Sequence, residues 1–218
     1  MFLFLLNKNY PPPILALIHP FGLTSKLLLK MEAVTSSCIF FFGILIRMLG
    51  TGYIGKDTVW NSSLESKSLQ FEGPYQYLRH PIYSGSLLIL ISLLPMCSLP
   101  GAVFLILFGG GFTVFLARYE EKTLRALNPE YWPHMNQVPR FLPRQGFYGF
   151  LIKEGVSFTL KNWHITAASE RYNLAFGIGF MSFSITFQKE AFWIGFILSF
   201  AIIWVMTSFQ KLDKTSSS

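Results

Sequence analysis

Charge is scarce in this chain. Asp, Glu, Lys and Arg make up 13% of its 218 residues, about half the ~25% of an ordinary soluble domain. So few charges cannot clothe a water-soluble globule of this size. Cysteine is scarce too. Cys38 and Cys97 both lie in apolar stretches and read as small buried hydrophobes rather than a disulfide. No Cys or His spacing suggests zinc, and no metal site is expected. Negative charge is the scarcer sign, with 11 Asp and Glu against 18 Lys and Arg, a net +7. The cations sit beside apolar runs, which favours a lipid bilayer as partner over nucleic acid.

What is present is apolar sequence: 51% hydrophobic residues, 17% aromatics and a mean hydropathy of +0.42. Ile82 to Ala117 is 36 residues without a formal charge. One membrane span needs about 20 residues, so this run makes two. The break falls in Pro95-Met-Cys-Ser-Leu-Pro100, because proline ends helices and its predecessor leaves the helical region. A tight hairpin is expected, over 82–97 and 100–118. Tyr172 to Gln188 and Ala191 to Gln210 form a second hairpin, with Lys189-Glu190 as its turn. Ala33 to Ile46, ending at Arg47, makes one more span. Asn9 to Ser25 is uncharged but broken by Pro11-Pro12-Pro13 and Pro20. A short or kinked span and a signal segment both stand open there, though no small-residue cleavage site is evident.

The expected fold is therefore all-α, a polytopic transmembrane helical bundle of about five to six spans. Two hydrophilic segments remain, 51–81 and 118–172, and the second carries Arg118, Lys122, Arg125, Arg140, Arg144, Lys153, Lys161 and Arg171. The hairpin tip carries no cation. The positive-inside rule puts both segments and the Lys211/Lys214 tail in the cytoplasm. Thr215 to Ser218 reads as a frayed tail. Gly109-Gly110-Gly111 lies inside an apolar helix, without the strand that a dinucleotide fingerprint requires. These glycines read as points of close helix approach.

The polar chemistry concentrates in Gly73-Pro-Tyr-Gln-Tyr-Leu-Arg-His-Pro-Ile-Tyr83, which leads straight into a membrane helix. Pro81 suits a first helical turn, where its missing N–H costs nothing. Arg79 and His80 then lie at a helix N-terminus. That position favours an anion, and it equally suits residues that anchor a helix at lipid headgroups. The hairpin returns to the same side through Arg118-Tyr-Glu-Glu-Lys122. Topology thus brings His80 and Tyr83 to Arg118, Glu120 and Glu121. The two glutamates point about 100° apart on a helix, so no more than one is expected to face a pocket. Such convergence at a membrane boundary marks either a functional site or a salt-bridged network. Asn128-Pro129 reads as a helix stop. The aromatic, basic, proline-punctuated stretch from Tyr131 to Pro143 reads as a lid over the polar face.

In combination, Gly-Pro-Tyr-x-Tyr-x-Arg-His-Pro-x-Tyr at 73–83, a helical hairpin, Glu120-Glu121-x-x-Leu124, Tyr131 and Val138-Pro-Arg-Phe-Leu-Pro143 resemble the isoprenylcysteine carboxyl methyltransferase and phospholipid methyltransferase group. The resemblance covers 40–145. It implies a membrane methyltransferase using S-adenosylmethionine, with its cofactor pocket at the cytosolic end of the hairpin. It further implies that Tyr75, His80, Pro81, Ile82 and Tyr83 line that pocket and that Glu120 contacts the cofactor. Ser68, Leu69 and Gln70 would sit near the adenosine part. Arg118, Glu121 and Arg140 are the candidate catalytic residues, with Arg118 or Arg140 orienting an anionic substrate. Some members carry an arginine where this chain has Leu116, a glycine where it has Asn128 and a tyrosine where it has His134.

The resemblance divides the chain into N-terminal transmembrane helices (1–50), a methyltransferase-like core (51–145) and an amphipathic linker with a C-terminal hairpin (146–218). Leu45-Ile-Arg47 and Gly52-Tyr-Ile-Gly-Lys56 look like the stretch before the motif in bacterial members, which suggests a bacterial inner membrane with the site facing the cytoplasm. Leu160-Lys-Asn-Trp-His-Ile165 and Glu170-Arg171 resemble an extension found in some members.

The implied reaction is an in-line displacement at a sulfonium methyl carbon. A carboxylate acceptor is already a nucleophile, so positioning at about 3–3.5 Å and exclusion of water suffice. The expected acceptor is lipid-tailed or isoprenoid and enters from the bilayer. Two other readings stand beside this one. Sterol-type reductases using NADPH share the Arg-His-Pro-x-Tyr segment but generally have more spans. A non-catalytic, lipid-binding protein of the same fold is compatible with Leu116.

Overall fold

The uncharged runs form helices, and the structure, a computed structural model, describes them over residues 26–54, 72–127, 129–130 and 132–216. The expected first span at 9–25 lies outside the described residues, as do Ser68, Leu69, Gln70, Asn128 and Tyr131. Helix α1 spans Lys26–Ile54, longer than the run that announced it. Arg47 does not end it, because Glu170 neutralises that charge from another helix. Helix α2, Pro81–Leu93, starts on proline at its first position and tightens into a 3-10 turn at Leu94–Met96. Cys97 is extended, and Ser98 caps the next helix by accepting from the Gly101 N–H. Helix α3 runs Leu99–Leu127, with a π turn at Leu105–Gly110. The hairpin is thus as the prolines require.

The second hydrophilic segment is mostly helical as well. Helix α4 is a single turn, Trp132–Met135. Helix α5 begins at Phe147–Phe150, passes a π turn at Leu151–Gly155 and continues through Val156–Lys161. Helices α6 (Trp163–Thr186) and α7 (Lys189–Ser216) form the last hairpin. Its turn is Phe187-Gln188, not the expected Lys189-Glu190. Phe187 adopts a left-handed conformation with φ 57°. Glu190 instead joins the first turn of α7, where a helix favours negative charge. The helix continues through Thr215 and Ser216, which the sequence assigned to a frayed tail. No strand occurs among the described residues, so the fold is all-α.

Two of these helices, Lys30–Ile54 and Leu99–Leu127, are long and apolar enough to cross a membrane. Pro81–Met96 and Glu190–Met206 are apolar but shorter. Helix α1 is central, packing along α2 and along α6, and α6 packs along α7. The α1–α2 crossing is set by Gly43 and Gly85: a Cβ on Gly85 would lie 2.4 Å from the Gly43 carbonyl oxygen. One apolar cluster lies around the hairpin tip, where Phe40, Leu93, Met96, Cys97, Phe180 and Phe192 meet. A second, of Ile46, Leu78, Phe147 and Phe150, lies at the opposite end, beneath the motif.

Of the two long apolar helices α3 is the less covered, with Phe104, Phe108, Phe112 and Phe115 all exposed. Of the three consecutive glycines only Gly109 makes a close approach, against Leu90, while Gly110 and Gly111 face open space. Close helix contact therefore explains one glycine and not the run. Cys38 and Cys97 are free thiols. Cys97 is buried as expected, but Cys38 is exposed.

Candidate functional site

The motif is held by backbone geometry before any side chain acts. Gly73 has φ +58°, and a Cβ there would strike the Tyr53 ring at 2.3 Å. Pro74 then starts a 3-10 turn, and its carbonyl accepts from Tyr77 and Leu78 N–H. The Tyr75 hydroxyl donates to the Gly50 carbonyl at 3.2 Å, tying the turn to α1. The segment after α4 folds back as expected. Arg79 N–H donates to Pro139 O at 2.8 Å, His80 N–H to Arg140 O at 3.2 Å, and Arg144 N–H to Tyr77 O at 3.0 Å. Residues 138–144 thus form a flap laid along residues 77–80.

Beneath the flap lies a cluster of five charged or titratable side chains. Arg79 donates to Glu121 Oε1 at 2.9 Å and to the Val138 carbonyl at 2.8 and 3.1 Å. Arg140 Nε donates to both oxygens of Glu121 at 2.9 and 3.0 Å. His80 Nε2 lies 3.1 Å from Glu121 Oε1. A carboxylate can only accept, so Nε2 carries the proton. The His80 Nδ1 edge faces Glu120 Oε2 at 3.9 Å. Both glutamates therefore converge on His80, against the expectation that only one would turn inward. The two ring nitrogens sit on different edges of the imidazole and bridge the angle between adjacent helical positions.

Burial decides between the two readings of Arg79. Its side chain is 4% exposed and that of Glu121 is 6%, and the guanidinium lies over the Trp132 ring, 5.6 Å from its centroid. It stitches α3 to the flap and does not reach outward as a headgroup anchor. Arg125 lies on the same Trp132 ring at 5.7 Å. Glu121 is the hub of this network, which makes it a structural ion-pair partner and not an open catalytic carboxylate. Arg140, with its side chain 46% exposed, is engaged with Glu121 but retains an open edge. Arg118 is exposed on α3.

The remaining residues form a second tier. The Tyr83 hydroxyl is hydrogen-bonded to Glu120. The Tyr83 and Phe141 rings flank His80, with centroids 5.5 and 6.2 Å away. Burial, the Glu120 charge and Tyr83 push the Tyr75 hydroxyl well above the usual phenol range. Tyr75 accordingly stays protonated and keeps its bond to Gly50. Arg140 is raised by its pairing with Glu121, so this cation persists at any physiological pH. Pro81 is buried and Ile82 half-buried. The structure thus brings together Tyr75, His80, Tyr83, Glu120, Glu121 and Arg140 of the sequence-derived set. Two cavities flank the Gln76–Tyr77 turn, and Tyr75 is the residue of this tier that lines one of them. One of about 450 Å³ is bounded by Tyr75, Gln76, Gln137, Val138 and Arg144. Another of about 770 Å³ is bounded by Tyr53, Glu72, Tyr77, Phe150 and Lys153.

Sequence reasoning missed a second buried ion pair. Arg47 forks onto Glu170, Nε to Oε2 at 2.8 Å and Nη2 to Oε1 at 2.9 Å. Asn173 donates to the same carboxylate at 2.6 Å. The signal was legible, because Arg47 closes one uncharged run and Glu170 precedes another. Opposite charges at the boundaries of apolar helices are candidates to pair. No protein-family model matches the chain, and no curated protein or solved structure matches it either.

Proposed function

We propose that the chain is a multi-pass membrane methyltransferase that uses S-adenosylmethionine and methylates a lipid-linked or isoprenoid carboxylate. The reading rests on the resemblance of residues 40–145 to the isoprenylcysteine carboxyl methyltransferase group. The observation that carries it is the meeting of Tyr75, His80, Tyr83 and Glu120 at one end of the bundle, beside the flap of residues 138–144. These side chains suit a ligand with ammonium, hydroxyl and carboxylate groups. Glu120 offers an acceptor to an ammonium or a ribose hydroxyl. His80 and the N-terminus of α2 are the groups assigned to the ligand's carboxylate. Tyr75 and Tyr83 offer aromatic faces, which favour a neighbouring cation. Ser68, Leu69 and Gln70 are assigned to the adenosine side by resemblance alone.

Bound S-adenosylmethionine supplies a methyl group on a sulfonium, the electrophile of an in-line displacement. The chain's own residues need only orient, charge-balance and dry the site. The acceptor carboxylate needs no base, in keeping with a cluster whose acidic hub, Glu121, is already saturated by three donors. Arg140 is the better candidate than Arg118 to steer an anionic acceptor, because it reaches the cluster and keeps an exposed edge. Five to six spans, a bacterial inner membrane and a cytoplasmic site belong to the same proposal. In that arrangement the lipid tail enters between helices from the bilayer.

The test is calorimetric titration of S-adenosylmethionine into detergent-purified protein, with His80→Ala and Glu120→Ala alongside. Saturable binding that weakens at least tenfold in both variants is expected. A folded wild-type protein that binds no S-adenosylmethionine but does bind NADPH would move the assignment to the reductase reading.

A further inference from the structure

No side chain of the Tyr75–His80–Tyr83–Glu120 group comes from beyond residue 144, yet a part-buried chain of contacts reaches it from α6. Glu170 is almost closed to solvent, with its side chain 1% exposed. Its carboxylate takes both prongs of the Arg47 guanidinium and the Asn173 amide. The remaining prong of Arg47, Nη1, donates to the Ile82 carbonyl at 3.4 Å and to the Ser86 hydroxyl. Ser86 donates to that same Ile82 carbonyl at 3.0 Å. Ile82 and Tyr83 follow Pro81 in the first turn of α2, whose N-cap is His80. Arg47 also lies close enough to Tyr83 for its charge to act on the hydroxyl, which is bonded to Glu120.

Space has been cleared for this arrangement. The stem of Arg47 crosses Gly85, where a Cβ would lie 2.5 Å from Arg47 Cγ. A guanidinium makes its fork only when both carboxylate oxygens are presented in plane. The rotamer that lets Arg47 reach the Ile82 carbonyl is therefore chosen by Glu170. We infer that Glu170 is a positioning residue of the proposed cofactor site, acting from α6 through Arg47 on the first turn of α2. This inference rests on the methyltransferase reading for the identity of the ligand, but the mechanical link does not. On this view the C-terminal helical hairpin is part of the catalytic unit rather than an appended anchor. It holds the Ile82–Tyr83 turn, and so the Tyr83–Glu120 pair, at a fixed height against His80.

The experiment compares Glu170→Gln with Ser37→Ala. Gln keeps the shape but cannot accept from both prongs of Arg47. Ser37 bonds Ser184 at 2.8 Å across the same α1–α6 pair, about three helical turns along α1 from Arg47. Ser37→Ala is thus the control for helix packing as such. Two readouts are taken on full-length protein in detergent. The first is S-adenosylmethionine affinity. It should fall roughly tenfold in Glu170→Gln and hold in Ser37→Ala at comparable melting temperatures. The second is the 19F resonance of 3-fluorotyrosine placed at position 83, which should move in Glu170→Gln and not in Ser37→Ala.

If Glu170→Gln does not fold, Asn173→Ala replaces it, since it releases one bond to the carboxylate and leaves the ion pair. A smaller shift of the same kind is then expected. Wild-type affinity in a folded Glu170→Gln or Asn173→Ala protein overturns the inference. A wild-type protein that binds no S-adenosylmethionine overturns the proposed function instead. The inference is then judged on the fluorine resonance alone, and an unmoved resonance overturns it.

Discussion

Arg79 and Glu121 are nearly closed to solvent, and Glu121 is the carboxylate that neutralises Arg79. Removing one member of such a pair typically costs about 3–5 kcal/mol, most of it the penalty on the partner left behind. Arg140 reaches the same carboxylate from a position almost half exposed, where loss of a pair is worth about 1 kcal/mol or less. Glu121→Ala should therefore depress stability far more than Arg140→Ala in denaturant unfolding of the detergent-solubilised protein. Equal losses would mean that the cluster is not desolvated. Arg140→Ala should raise the acceptor KM while leaving S-adenosylmethionine affinity near wild type. An unchanged KM would remove Arg140 from substrate steering. That His80 and Tyr83 meet the Glu120-Glu121 pair was readable from the sequence, because a short-tipped hairpin returns to the side it left. The division of labour between Glu120 and Glu121 was not, because it depends on how far two long side chains swing toward one imidazole.

At the scale of elements, close packing is carried by a few positions without side chains. The Gly85 Cα lies against the Gly43 carbonyl and the Arg47 stem, so Gly85→Ala has nowhere to put a methyl group. Overpacking of this kind costs about 1–3 kcal/mol, and a lower melting temperature is expected. Gly110 lies in a helix with nothing within 4 Å of its added Cβ. Gly110→Ala should be neutral, or stabilising by up to about 1 kcal/mol through helix propensity. A Gly110→Ala protein as unstable as Gly85→Ala would show that a partner covers that face of α3. The three consecutive glycines look alike in the sequence, and only the neighbouring Leu90 singles out Gly109. The Pro95 and Pro100 break was legible because proline acts locally. The turn at Phe187-Gln188 was not, because no residue type there announces a left-handed conformation.

For the whole molecule, the two ends of the bundle carry different chemistry. The hairpin tip at Ser98 lies at the end with the apolar Phe40–Phe180 cluster. The flap with Arg140 and Arg144 lies at the other, beside the buried ions. If the bundle spans a bilayer as proposed, these ends face opposite compartments. In a background with Cys38 and Cys97 replaced by serine, Ser98→Cys and Arg144→Cys should label with an impermeant thiol reagent from opposite sides. Right-side-out and inverted vesicles provide the two views. Labelling of both positions from one side would refute a membrane-crossing α2–α3 hairpin and lower the span count accordingly.

The sequence by itself determined the helical class, the α2–α3 hairpin and the location of the polar motif. All three follow from local rules: uncharged length, proline breaks, and the requirement that a short-tipped hairpin return to the side it left. It also suggested that the stretch after Asn128 folds back, from its aromatic, basic and proline-punctuated composition. Only the tertiary structure decided which charges are spent on one another. Arg79 with Glu121 and Arg47 with Glu170 join residues 42 and 123 positions apart, and no periodicity encodes a pairing at that distance. The physical reason is that a buried charge has no acceptable position except against its partner. The choice of partner is made by how α1, α2, α3 and α6 meet.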